Sequence, residues 1–177
     1  MTAYRVSAFY KFVDLKDPAG LKSVLEEAGA AQGILGTLLL APEGVNGTLA
    51  GGEAGLAAFM NRLRHVPGLA DLEEKRSVAT VPPFNRFKVR LKREIVTLGV
   101  PGADPRRAVG RYVDPEEWNA LVRDPQTLVI DTRNAYETAI GRFEGALDPG
   151  TASFREFPEW VDARLAGCEE QPVALYC

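Results

Sequence analysis

A cysteine, an aspartate–arginine pair and a run of alternating cations carry most of the chemistry this sequence could perform. Cys177 follows the apolar stretch Val173-Ala174-Leu175-Tyr176. A cysteine just past a strand, beside backbone N–H groups, gains a stabilised thiolate and becomes a nucleophile. The bland alternative, a small buried hydrophobe, fits Cys168 better. The spacing of Cys177 from Asp131 favours a functional cysteine. Asp131 and Arg133 stand at the end of the apolar run 128–130, where open α/β sheets collect their ligands. They could support an active-site loop as an ion pair, or they could only pin a strand-to-helix turn. Support rather than bond-making is expected of them in either case.

The second feature is a strand that alternates strictly. Arg86, Lys88, Arg90 and Lys92 fall on one face, and Phe87, Val89 and Leu91 on the other. From Lys75 to Arg93 there are seven basic residues and no acidic one. Like charges along one strand face repel, so folding alone does not ask for them. A polyanion would, and so would an edge strand guarded against aggregation. The two readings weigh equally. Arg106, Arg107 and Arg111 could extend the same surface.

Two smaller features invite bland readings. The segment Glu43-Gly44-Val45-Asn46-Gly47 has the glycines and asparagine of a sharp turn or a ligand-hugging loop. An ordinary hairpin connection is the preferred reading. His65 is the only histidine, so neither a histidine-rich metal set nor a Ser-His-Asp triad is expected. A surface histidine at a helix C-terminus suffices.

The elements that must position these residues alternate between strand and helix. Residues 6–12 alternate as a strand. Asp17-Pro18 opens a helix that Gly29 can close. Residues 34–40 form a short apolar strand, 42–47 a loop and 48–50 a return strand. Leu56, Phe59, Met60 and Leu63 mark an amphipathic helix over 53–65, and 74–81 reads as a strand. The order β-α-β-β-α-β predicts an α+β, ferredoxin-like first domain over residues 1–98. Residues 84–98 add a strand or hairpin. Two glycines and two prolines within 99–105 mark a linker, taken as 99–108. From 109 on, a helix opened by Asp114-Pro115, a strand at 128–131, a helix at 134–140, a brief strand at 145–147, a helix at 159–165 and a strand at 173–176 predict an α/β parallel sheet.

Composition narrows the function classes. Hydrophobic residues make up 46% of the 177 and charged residues 25%, a globular mix that excludes a disordered tail or a collagen-like repeat. The longest apolar stretch is eight residues, 34–41, against the roughly 20 of a membrane span, so no membrane partner is expected. The start lacks a signal-peptide layout, and two cysteines suit a reducing cytoplasm. The net charge of −3 splits into +5 over residues 1–111 and −8 over 112–177. Such asymmetry hints at two domains with different partners, the basic one facing an acidic polymer.

Residues 109–177 resemble the front half of a rhodanese domain. The resemblance lies in Ile130-Asp131-Thr132-Arg133, Tyr136-Glu137, Gly141-Arg142-Phe143-Glu144-Gly145-Ala146 and Leu175-Tyr176-Cys177. Arg142 stands where such domains often carry histidine. The first half narrows the match. Phe9-Tyr10-Lys11-Phe12, Leu40-Ala41-Pro42-Glu43-Gly44-Val45-Asn46-Gly47-Thr48, Phe87-Lys88-Val89-Arg90, Glu94-Ile95-Val96-Thr97 and Phe154-Arg155-Glu156-Phe157-Pro158 are similar to the rhodanese-containing tRNA uridine hydroxylases.

That resemblance implies an acylphosphatase-like first domain and an incomplete rhodanese-like second one, 109–177. It implies dioxygen-dependent C5 hydroxylation of the wobble uridine of tRNA in the cytoplasm. Dioxygen is then the co-substrate, Cys177 the catalytic residue and tRNA the partner, with Arg86, Lys88, Arg90 and Lys92 as RNA contacts. No other cofactor is evident. Rhodanese loops run on from the cysteine through a glycine-rich turn to an arginine, whereas this sequence stops at Cys177. The chain as written is therefore expected to be a poor catalyst. Two rivals remain: sulfur transfer through a persulfide on Cys177, and a non-catalytic RNA-binding module.

Overall fold

A computed structural model describes residues 3–100, 103–105, 109–168 and 170–177. The chain divides into two compact units, Met1–Val96 and Thr97–Cys177. The first unit runs β1 (Tyr4–Phe12), α1 (Pro18–Ala31), β2 (Leu35–Ala41), β3 (Gly44–Gly51), α2 (Glu53–Arg64), β4 (Lys75–Ala79) and β5 (Phe87–Leu91). Its five strands pair in the order β4-β1-β3-β2-β5. All pairings are antiparallel except β2 with β5. This is the ferredoxin-like arrangement with one strand added at the edge.

Local chemistry starts the helices where the sequence indicates. Asp17 caps α1 by accepting from Gly20 N at 2.8 Å, with Pro18 in the first turn. The alternation of the strands then sets the core. Phe9, Leu38, Leu40, Val45, Leu49 and Val89 point to one face and meet Leu25, Phe59, Met60 and Leu63 of the two helices. Each fully buried leucine or phenylalanine contributes about 1.5–3 kcal/mol. Gly29 lets α1 settle directly on the Phe87 ring, since a Cβ there would lie 2.2 Å from it. The opposite face of the sheet carries no helix of this unit.

One expectation fails in β3. Residues 42–47 read as a loop, yet only Pro42 and Glu43 turn, and the strand begins at Gly44. Gly44 has φ 148°, and a Cβ there would stand 2.0 Å from the Lys11 carbonyl oxygen. Gly47 lies under Phe9 and Leu38. The glycines serve close approach within a central strand, not loop flexibility.

The second unit holds α3 (Pro115–Arg123), β6 (Leu128–Asp131), α4 (Ala135–Thr138), a 3₁₀ turn (Phe154–Glu156), α5 (Phe157–Arg164) and β7 (Val173–Tyr176). Its β6 and β7 are parallel. The brief strand expected at 145–147 reduces to one parallel bridge, Leu147 with Ile130. The helix expected over 134–140 is a single turn, opened by a capping box between Asn134 and Glu137. Asp114 caps α3 by accepting from Glu117 N at 2.8 Å. Among the described residues, no helix is long and apolar enough to cross a membrane.

Candidate functional site

At the carboxyl ends of β6 and β7 the second unit builds a polar cluster. Asp131 is fully buried there. Arg133 grips it with two hydrogen bonds, Nε to Oδ1 at 2.9 Å and Nη2 to Oδ2 at 2.6 Å. Tyr176 donates its hydroxyl to Oδ2 at 2.7 Å. The Arg133 guanidinium, opposed by burial and aided by Tyr176, holds the Asp131 carboxyl down to about 2. The same pairing raises the Arg133 guanidinium further above its ordinary value. Burial, and then the neighbouring carboxylate, push the Tyr176 phenol up, so it stays a donor.

Arg133 is held on three sides. Its Nη2 also donates to Gly141 O at 2.7 Å, and its guanidinium lies 5.5 Å from the Tyr176 ring centroid. Tyr176 is itself wedged edge-on between Trp118 and Phe143, and its hydroxyl accepts from Phe143 N at 3.2 Å. These contacts shape an open depression of about 370 Å³ lined by Arg133, Gly141, Arg142, Phe143, Tyr176 and Cys177. Cys177 is exposed at its wall. Arg142 faces it while bonded to Asp148 at 2.9 Å. The structure thus brings Arg133 and Cys177 to one surface and sets Asp131 beneath it. Arg133 and Arg142 line this depression together with an exposed thiol, each guanidinium already paired with a carboxylate.

Arg142, Phe143 and Tyr176 belong to the motifs that carry the rhodanese resemblance, but their residue types alone give them no role at the site. The signal for Tyr176 is its position: β7 alternates, and Ala174 and Tyr176 are its inward pair. Cys168, expected to be buried, is half-buried. Among the described residues, no group of three or more His, Cys, Asp or Glu could hold a metal ion.

In the first unit the basic residues surround an edge. Strand β5 is the outer strand of the sheet. Lys88 and Arg90 share the helix-free face, while Phe87 and Val89 face the core. Leu91, expected on the apolar side, is the last residue of the strand and is 47% exposed. The positive charges of Arg86 and Arg90 lower the Lys88 pKa. Arg86 and Lys92 flank the strand. Arg111 is bonded to Glu117, at 2.8 Å through Nη1, and so gives its charge to the second unit. Arg106 and Arg107 lie outside the described residues.

Glu43 and Asn46 have a structural use that composition does not reveal. Ile95 N donates to Glu43 Oε1 at 2.7 Å, and Asn46 Nδ2 donates to Ile95 O at 3.1 Å. Together they clamp the chain leaving β5. His65 caps α2 and contacts Asn61 O through Nδ1 at 2.7 Å, as a helix-end histidine should.

Residues 4–95 match the family described as the UPF0176 acylphosphatase like domain. The chain belongs to that family. Curated relatives carry the name tRNA uridine(34) hydroxylase. The protein of Gluconobacter oxydans (strain 621H) is 54% identical over 98% of this chain and 56% of its own length. That of Caulobacter vibrioides (strain NA1000 / CB15N) is 52% identical over all of this chain and 58% of its own. The chain thus spans about half the length of the curated relatives it matches.

Proposed function

We propose that the chain belongs to a tRNA-modifying enzyme that hydroxylates the wobble uridine at C5. The observation that carries this reading is the 52–54% identity, across both units, to proteins named tRNA uridine(34) hydroxylase. In this reading residues 1–98 help to hold tRNA, 99–108 link the domains, and 109–177 are the front of a rhodanese-like domain. Cys177 is the reacting thiol and dioxygen the oxidant. Asp131 acts as a positioning residue: it locks the Arg133 fork, which in turn holds the Gly141 carbonyl and the wall beside Cys177. Arg86, Lys88, Arg90 and Lys92 contact phosphates. The cytoplasm, where tRNA is found, is the compartment.

Mass spectrometry of tRNA from a strain lacking the gene tests the reaction. Loss of 5-hydroxyuridine, restored by the intact gene and not by a Cys177→Ala copy, is expected. Unchanged 5-hydroxyuridine would overturn the assignment. An exposed thiol beside two guanidinium groups also suits a persulfide. Sulfur transfer from thiosulfate to cyanide in the absence of any effect on 5-hydroxyuridine would favour that second reading. The phosphate contacts have their own readout. Changing all four cations of the β5 edge to Gln should lower the slope of log affinity for tRNA against log salt by about 3. An unchanged slope would return this strand to the role of a guarded edge.

A further inference from the structure

The helix-free face of the five-stranded sheet has a composition that edge protection does not explain. Its strand register brings residues from distant parts of the chain into rows. One row runs Tyr10, Asn46, Leu39, Arg90. The next runs Lys75, Ala8, Thr48, Thr37, Lys88 and crosses all five strands. Strand spacing sets Lys75 and Lys88 about 19 Å apart, and Tyr10 and Arg90 about 14 Å apart. Small residues fill the middle of the second row. A cation therefore stands at each edge of the sheet, and an aromatic wall stands at one end.

That wall is Tyr10 with Phe12. Both project to this face from β1, with ring centroids 6.1 Å apart at an interplanar angle of 72°. Tyr10 is 49% exposed, although it lies on a central strand where a large apolar ring is normally covered. Lysines at both edges fit the guarding of an edge, but guarding does not ask for a half-exposed tyrosine on an inner strand. Among the described strand residues of this face there is no Asp or Glu. Of the acids nearby, Glu74 meets Arg64 and Arg76, Asp71 meets Lys11, and Glu43 accepts from Ile95 N, whose carbonyl takes the Asn46 amide of this face.

We propose that this face is a platform for a single-stranded stretch of RNA. Tyr10 and Phe12 stack unpaired bases, and Lys75, Lys88 and Arg90 take the phosphates between them. Thr37 and Thr48 offer hydroxyls to ribose or phosphate oxygens. Duplex RNA is excluded by chemistry, since its bases are already stacked and cannot reach the rings. The inference rests on the tRNA reading above and narrows it to unpaired nucleotides.

The test uses the whole 177-residue chain, a fluorescent uridine-rich single strand and a duplex of equal length. The wild-type chain should prefer the single strand. Tyr10→Leu keeps apolar area and removes the π face, so it should weaken single-strand binding about 5- to 100-fold at unchanged salt slope. Tyr10→Phe should restore it. Lys75→Gln with Lys88→Gln and Arg90→Gln should instead lower the salt slope by about 2. Ultraviolet cross-linking of the bound strand to the wild-type chain needs no variant, and its adducts should map to the β1 peptide carrying Tyr10 and Phe12. Equal affinity for duplex, a neutral Tyr10→Leu or cross-links confined to other segments would overturn the platform. In that event a surviving salt slope and surviving 5-hydroxyuridine formation would leave the tRNA reading standing. Absence of both would remove the two together.

Discussion

Glu74, just before β4, and Asp131, at the end of β6, are both buried carboxylates held at about 2, and they reach that value by different routes. For Glu74 burial is the largest influence and acts upward. It is outweighed by hydrogen bonds from Arg76 at 2.5 Å, Arg64 at 2.7 Å and Ser7 at 2.6 Å. Those donors come from β4, the end of α2 and β1. The Asp131 carboxylate takes its main partner from two residues along the chain, and only Tyr176 comes from afar. The first arrangement ties three elements into one fold. The second turns a short ion pair into a rigid mount for Arg133, whose remaining hydrogen bond fixes the Gly141 carbonyl next to the thiol. A carboxylate at the same pKa is thus a strut in one unit and a jig in the other.

The largest effect should follow from removing the jig. Asp131→Ala leaves the Arg133 guanidinium and the Tyr176 hydroxyl without their shared acceptor. Breaking a buried pair from one side costs about 3–5 kcal/mol. Both tryptophans, Trp118 and Trp160, lie in the second unit, so their emission during urea unfolding reads that unit alone. Their midpoint should fall steeply while the far-UV signal of the first unit holds. An unchanged tryptophan midpoint would show that Asp131 does not anchor this unit.

The same contrast explains what could be read from the sequence. Asp131 and Arg133 are two residues apart at the end of an apolar run, so their pairing is visible in one short window. Asp17-Pro18 and Asp114-Pro115 start helices by local chemistry alone, and the β-α-β-β-α-β order follows from periodicity. Glu74 finds Ser7 at a separation of 67 residues, and no local pattern encodes that meeting. Gly44 and Gly47 mislead for a related reason. Their composition says loop, whereas the constraint that selects them is the Lys11 carbonyl and the Phe9 ring arriving from another strand. The depression around Cys177 is legible as a strand end with a thiol. Its aromatic wall is not, because Trp118, Phe143 and Tyr176 meet only through tertiary packing.

The strut should answer next. Glu74→Gln keeps the shape but lets Arg64 and Arg76 face a neutral acceptor, at a cost of about 3 kcal/mol. Here the far-UV transition of the first unit should shift and the tryptophan curve should not. Acid tests both sites together. Glu74 falls from an ordinary 4.5, and Asp131 from 3.8, each to about 2. Both folded values lie below the unfolded ones. The stabilisation is therefore complete above about pH 5 and drains away as pH falls toward 2. Both transitions should weaken across that window in the unaltered chain. In Glu74→Gln the first unit should lose much of its acid sensitivity while the second keeps it. Equal acid slopes in the two proteins would refute the role given to Glu74.

The finest comparison removes one hydroxyl from each cluster. Ser7 Oγ is fully buried and donates to Glu74 Oε2 at 2.6 Å. A bond to a charged acceptor is worth about 1.5–3 kcal/mol, and water cannot replace it where there is no access. Ser7→Ala should cost an amount in that range, read in the far-UV transition. Tyr176→Phe keeps the ring between Trp118 and Phe143 and deletes the hydroxyl that donates to Asp131 and accepts from Phe143 N. Two things soften the loss. Asp131 keeps the two guanidinium bonds and the backbone N–H bond from Arg133, and Phe143, 42% exposed, can give its N–H to water. About 1 kcal/mol is expected in the tryptophan-monitored curve. The order Ser7→Ala above Tyr176→Phe follows from the number of elements each hydroxyl must join and from the solvent each site admits. The reverse order would mean that the aromatic cluster, rather than the ion pair, is what holds Asp131 in place.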